Sequence, residues 1–182
     1  ELDNQHAALC VADVVGKGLP AALLMSNFQA ALKTLAAETL SPAEVSTRLN
    51  LQLYSNIPLH KFITAFYGVL DTATRVLTFT NSGHNPPLLV KANGEYSRLE
   101  VGGSVLGGFS DAKFTQAEVK LDHGDRLVLF TDGLTEAMNE SGEQFGEERL
   151  IELLVRNREL SANELREVVF ASIEDFCIDP FE

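Results

Sequence analysis

Apolar residues change their spacing along the chain, and each change marks a new element. Ala7-Ala8-Leu9-Cys10-Val11-Ala12 is an unbroken apolar run of strand length that meets a carboxylate at Asp13 and a tight turn at Gly16 and Gly18. Pro20 suits the first turn of a helix, and Ala21, Leu24, Met25, Phe28, Leu32 and Leu35 then recur at helical spacing, predicting a helix over 20–37. Met25 and Phe28 belong to its core face. Ser41-Pro42-Ala43-Glu44 has the form of a capping box, and Val45, Leu49 and Leu53 carry a second helix to residue 56.

The period then shortens. Residues 61–70 and 75–80 are rich in β-favouring side chains and flank the polar turn Asp71-Thr72-Ala73-Thr74, so they predict a hairpin. Residues 87–91 and 95–99 flank Asn93-Gly94, the strongest short hairpin signal, and predict a second. Residues 114–121 and 126–131 flank Asp122-His123-Gly124-Asp125 and predict a third pair. Between them, the stretch 101–110 holds four of the 13 glycines and is long enough to carry function. Helical spacing returns at Leu150, Ile151 and Leu154 behind an acidic first turn, and again from Leu165 to Phe176 behind a capping box at Ser161-Ala162-Asn163-Glu164.

Helix pair, hairpins, helix pair: that order predicts an α+β fold, an antiparallel β-sandwich flanked by helix pairs in four αββα layers. Runs as apolar as 62–70 need cover on both faces, which is why two stacked sheets with helices outside are expected. A chain of 182 residues with 45% hydrophobic side chains suffices for one substantial core, so one domain over 1–182 is the expectation.

Charge narrows the partners. Lys and Arg number 14 against 26 Asp and Glu, a net charge of -12 with no basic stripe, which excludes nucleic acid as a natural partner. An acidic protein binds a phosphorylated substrate only where cations reverse the local field. No apolar run approaches the roughly 20 residues of a membrane span. Cys10 and Cys177 show no metal-ligand spacing and are expected to be buried free thiols of a reducing, cytoplasmic compartment.

Three segments carry candidate chemistry: D-V-V-G-K-G from Asp13, N-S-G-H-N-P-P from Asn81, and T-D-G-L-T-E-A from Thr131. Asp13 and Asp132 each end an apolar strand beside a turn, and two carboxylates brought to one place repel unless a cation lies between them, so both are candidate metal ligands. Taken singly, a strand-ending Asp before Gly is more often a turn former. Lys17 does not sit in the phosphate-loop spacing G-x-x-x-x-G-K-[ST], and that motif is excluded. A dehalogenase-type aspartyl nucleophile at Asp132 is disfavoured, because Leu134 stands where a second Asp is needed.

Together these segments resemble the PPM-type metal-dependent protein serine/threonine phosphatases, and within them the stage II sporulation protein E (SpoIIE) branch. The resemblance runs along essentially the whole chain, including residues 62–70 and Val105-Leu106-Gly107. It implies a β-sandwich flanked by helix pairs and hydrolysis of phosphoserine or phosphothreonine on a small bacterial regulatory protein of the anti-sigma-factor-antagonist type. The implied cofactors are two Mn(II) or Mg(II) ions, whose bridging water attacks phosphorus. On this resemblance Asp13 bridges both metals, the Val14 carbonyl binds one, and Asp132 binds the second. Lys17 is a candidate to orient phosphate; a solvated lysine is the even alternative. His84 and Asn85, with Asn81, are weaker candidates that shape the sheet edge near the site.

Two family carboxylate motifs are absent from the chain, G-D-x-x-D before the first strand and D-D-x-T after the last helix, and Asp3, Asp179 and Glu182 do not replace them. The chain is therefore expected to be a phosphatase domain trimmed at both ends, binding metal weakly. Its alternative reading is a catalytically silent regulatory module of the same fold. The resemblance also implies an upstream sensor or receiver domain in the parent chain and a dimer or regulatory contact on residues 20–37 and 41–56.

Overall fold

The computed structural model describes residues 2–57 and 61–177. In chain order the elements are β1 His6–Val14, α1 Leu19–Ala36, α2 Pro42–Asn56, β2 Ile63–Asp71, β3 Val76–Ser82, β4 Leu88–Val90 and β5 Tyr96–Arg98. There follow β6 Gly102–Gly103, β7 Ala117–Lys120, β8 Arg126–Val128, α3 Asp132–Thr135, α4 Gly146–Arg156 and α5 Ala162–Phe176. The chain divides into two compact units, residues 1–86 with 100–121 and residues 87–99 with 122–182.

The first unit is built on a sheet of order β1-β2-β3-β6, with β7 also paired to β3. All its pairings are antiparallel except the short contact of β3 with β6. The β2–β3 hairpin forms as its turn chemistry predicts: the Asp71 carboxylate accepts the N–H groups of Ala73 and Thr74, and Arg75 takes the left-handed conformation at φ 61°. One face of this sheet is covered by α1 and α2. Leu24, Phe28 and Leu35 of α1 and Val45, Leu49 and Leu53 of α2 pack with Ile63, Ala65, Tyr67 and Val69 of β2. Each Val, Leu, Ile or Phe among them contributes about 1.5–3 kcal/mol when fully buried.

In the second unit, β5-β4-β8 form an antiparallel sheet. Leu88 and Val90 of β4 join Leu150, Ile151 and Leu154 of α4 and Leu165, Val169 and Ile173 of α5 in one core. The capping box at Ser161 is complete, since its Oγ accepts from the Glu164 N–H and the Glu164 carboxylate accepts from the Ser161 N–H. The α+β class and the antiparallel sheets with their helix pairs agree with the pattern of the sequence.

Several local expectations need correction. The segments 114–121 and 126–131 do not pair: β7 lies on β3, with Val119 opposite Leu77, whereas β8 lies on β4, with Leu127 opposite Leu89. Alternation marks a strand but not its partner, and here the two segments pair into different sheets. Among the described residues the last strand ends at Val128, and a short helix begins at Asp132, with Thr131 before it making no side-chain capping bond. At Ser41 only half of the capping box forms, because the Glu44 carboxylate accepts the Thr39 hydroxyl. Cys10 is exposed and Cys177 is half-buried against the core of the second unit, so neither is fully buried; among the described residues, β1 has a sheet neighbour on one side only. Among the described residues, no helix is long and apolar enough to cross a membrane.

Candidate metal centre

Asp13 is the penultimate residue of β1, one step inside the strand, and its direct partner across the ladder is Thr64 of β2. The carboxylate is exposed, whereas the following Val14 is buried and anchors the strand end in the helix-covered core. Beyond Val14 the ladder continues through a bond from the Val15 N–H to the Phe62 carbonyl. Gly16 then turns the chain at φ 106°, a conformation open to glycine and costly for other residues. Lys61 secures this turn. Its ammonium donates to the Val15 carbonyl at 3.2 Å, and a Cβ on Gly16 would stand 2.6 Å from Lys61 Nζ. Lys17 is exposed on the same turn, just before α1.

The segment after β3 is built as a closed loop. Asn81 brackets His84: its Oδ1 accepts the His84 N–H at 2.8 Å, and its Nδ2 donates to the His84 carbonyl at 3.0 Å. Gly83 makes this possible at φ 69°, and a Cβ there would lie 2.8 Å from the Val105 side chain. Asn81 and His84 are buried at 4% and 5% exposure, and the His84 ring reaches back so that Nδ1 lies 2.9 Å from Thr64 Oγ1. Asn85, half-buried, follows in the same segment. The structure thus brings Asp13, Thr64 and His84 to neighbouring positions at one end of the β1–β2–β3 ladder.

Asp132 belongs to the second unit, where it is exposed at the first position of α3. Its carbonyl accepts the Glu136 N–H and the Thr135 hydroxyl, which fixes the T-D-G turn locally. Among the described residues, no three His, Cys, Asp or Glu side chains group closely enough to hold a metal ion. The donors are nonetheless of the right kind. Exposed carboxylates at Asp13 and Asp132, with backbone carbonyls beside the first, are the hard oxygen ligands that Mn(II) and Mg(II) take. Asp179 and Glu182 lie outside the described residues.

Two residues of this region carried no separate weight in the sequence: Thr64 and Lys61. Thr64 had a signal, since it is the hydroxyl that interrupts the run from Phe62 to Phe66. Lys61 had none, because it acts through the backbone carbonyl of Val15, far away in the chain.

Comparison with known proteins supports the resemblance. The chain is 35% identical over 141 residues to phosphoserine phosphatase RsbU of Bacillus subtilis, a match covering 77% of this chain and 42% of the relative. The chain spans less than half the length of the curated relatives it matches. Among solved structures it is similar to the SiaA-PP2C domain of Pseudomonas aeruginosa, with a TM-score of 0.84 and 24% identity over 97% of this chain and 72% of that one. It is similar as well to the RsbU and RsbW domains of a Mycobacterium tuberculosis protein, with a TM-score of 0.82 and 24% identity over 97% of this chain and 49% of that one. At that identity the likeness establishes the fold. The family described as Stage II sporulation protein E (SpoIIE) matches residues 3–181, nearly the whole sequence, including all three motif segments, and the chain belongs to that family.

Proposed function

We propose that this chain is the phosphatase domain of a metal-dependent protein serine/threonine phosphatase, acting on phosphoserine or phosphothreonine of a small regulatory protein of the anti-sigma-factor-antagonist type. The observation that carries the reading is the 35% identity to a phosphoserine phosphatase over 77% of the chain. The local designs of Asp13 and Asp132 support it, each an exposed carboxylate held beside a fixed turn.

Asp13, the Val14 carbonyl and Asp132 are the ligands we assign to two Mn(II) or Mg(II) ions. Three protein donors do not fill the shells of two such ions, each of which takes about six oxygens, so further oxygen ligands would be needed to hold them. When bound, the ions supply charge stabilisation at the phosphoryl oxygens and a water nucleophile at neutral pH. The chain's own residues hold and orient. The β1 ladder and the Lys61 bond to Val15 keep the Asp13 turn in place, and Lys17 orients the substrate phosphate. Without bound cations, a protein of net charge -12 repels that phosphate, so metal is required for binding as well as chemistry.

The parent protein, in this reading, is cytoplasmic and carries a sensor or receiver domain upstream. Exposed Leu19 and Leu23 on α1 and Leu51 and Tyr54 on α2 support a dimer or regulatory contact on these helices.

The test uses the full-length protein, Mn(II) and a phosphoserine-bearing regulatory protein. D13N and D132N are each expected to lower turnover by more than the roughly 10–100-fold typical of losing a residue that only supports a ligand. Turnover unchanged in both variants overturns the reading. Binding of Mn(II) and of the phosphoprotein with no phosphate release by the wild type favours the silent regulatory module instead.

A further inference from the structure

We propose that His84 is a positioning residue for Asp13, acting through the hydroxyl of Thr64. The inference rests on the assignment of Asp13 as a metal ligand and extends it to two residues outside the ligand set.

Register brings the pieces together. Asp13 and Thr64 are direct partners in the β1–β2 ladder, so their side chains leave the same face of the sheet as neighbours. Because β1 is an edge strand, Thr64 is the one cross-strand neighbour that Asp13 has among the described residues. On its other side, Thr64 Oγ1 meets His84 Nδ1 at 2.9 Å. His84 in turn is fixed by the paired bonds to the Asn81 amide, and Asn81 by its N–H bond to the Val101 carbonyl. From Thr64 through His84 to Asn81 the contacts are hydrogen bonds of 2.8 to 3.0 Å with a buried far end, whereas Asp13 and Thr64 are joined by the register of the ladder, which sets their side chains side by side without a direct bond.

Such an arrangement is costly to build. An imidazole and an amide at 5% and 4% exposure lose their water and must find partners inside the protein. Apolar side chains fill the same space at lower cost, so packing alone does not account for it. The hydroxyl explains what the arrangement accomplishes. Thr64 has a single O–H proton to give. A ring that donates from Nδ1 occupies a lone pair of Oγ1 and leaves that proton for the carboxylate in the next strand. His84 thereby sets the direction of the Thr64 hydroxyl, and the hydroxyl sets the orientation of the Asp13 carboxylate. Carboxylates that bind metal are commonly held in this way, and loss of the supporting partner costs roughly 10–100-fold in metal affinity.

The competing explanation is that Thr64 does no more than satisfy His84. Mn(II) affinity separates the two, measured on the full-length protein by the electron paramagnetic resonance of free Mn(II), with thermal unfolding followed in parallel. We expect T64V and H84A each to weaken Mn(II) binding about 10-fold. T64S, which keeps the hydroxyl, and H84N, which keeps an N–H near the place of Nδ1, are expected to stay within about threefold of wild type. The double variant T64V/H84A is expected to bind no more weakly than either single one, because both remove the same support. Wild-type affinity in T64V, or losses that multiply in the double variant, overturns the proposal. If H84A does not fold, the comparison of T64V with T64S decides alone, since Val and Thr have the same shape. D13N is the separate control: unchanged Mn(II) binding there sinks the ligand assignment itself, whereas loss in D13N with none in T64V sinks only the role of His84.

Discussion

Asn50 clasps the glycine-rich segment at Gly107. Its Oδ1 accepts the Gly107 N–H at 2.8 Å while its Nδ2 donates to the Phe109 carbonyl at 2.9 Å, and the side chain is 1% exposed in the middle of α2. The stretch 101–110, glycine-rich and without a helix, is thereby tied to the helical layer of the first unit. Substitution N50A strands a buried N–H and removes a donor from a carbonyl. At about 1–3 kcal/mol for each unsatisfied buried group, the loss should be about 3 kcal/mol. Urea unfolding with an unchanged slope measures it, and limited proteolysis should show new cleavage within 104–111.

Glycine positions are expected to divide into two classes. A Cβ on Gly102 would lie 1.9 Å from the Asn81 carbonyl oxygen, a backbone atom that cannot swing aside. G102A should therefore break the β3–β6 contact and cost about 3 kcal/mol or more. Gly142 has a positive φ of 76° but nothing within 4 Å of the added carbon, so G142A should cost only the backbone term, about 1 kcal/mol. Equal losses in the two variants, by thermal or chemical unfolding, would contradict the geometry.

Much of this fold was legible in the residue pattern, and for physical reasons. Periodicity reports which side chains seek cover, so α1, α2, β1, β2, β3 and α5 emerge close to their observed bounds. Turn chemistry is equally local, hence the two hairpins at Asp71 and Asn93-Gly94. Pairing is not local. Nothing in residues 117–120 tells that Val119 faces Leu77 rather than a residue of the strand that follows. For the candidate site, Asp13 and Asp132 were visible as charge after an apolar run, although only Asp13 lies at a strand end and Asp132 opens a short helix. The Lys61 bond to Val15 and the Thr64 contact with His84 were not, because they join residues 46 and 20 positions apart.

Acid should loosen the second unit through Asp125. Its side chain is 4% exposed and paired with Lys91 at 2.7 Å, and it accepts the N–H groups of Asp122 and Ala92. Burial pushes its carboxyl up, but the Lys91 ammonium and the two backbone donors outweigh this and hold it below the ordinary value of 3.8. A depressed folded-state pKa contributes stability that is fully present above 3.8 and is lost as pH falls through the folded value. Thermal unfolding from pH 7 down to pH 2 should show this loss beginning below about pH 4. D125N should be less stable than wild type at pH 7, with the gap closing at the acid end. A gap that stays constant across the range would refute the assignment.

The two helix caps should differ in worth. Ser161 completes a reciprocal box with Glu164, whereas Ser41 accepts the Glu44 N–H and gives its own hydroxyl proton to Gln116. S161A is expected to cost about 1 kcal/mol, the usual value of an N-cap. E164A should remove the other half of that box, with a loss that does not add fully to the first. In α2, E44A should leave the Ser41 cap intact, since the Glu44 carboxylate is spent on Thr39. Circular dichroism melts of the single and double variants distinguish these outcomes.

The tether from Lys61 to Val15 bears on how the end of β1 opens. That turn is fastened to the second strand at two levels, by the Val15 amide bond to Phe62 and by the ammonium on the Val15 carbonyl. Breathing motions that expose one fastening must release the other, so the turn and the start of β2 open as a single cooperative unit. Deuterium uptake at the Val15 amide should then follow the kinetics of the strand and not those of a surface loop. The residue that carries the candidate ligand would in that case inherit the rigidity of the sheet at the point where the chain leaves it.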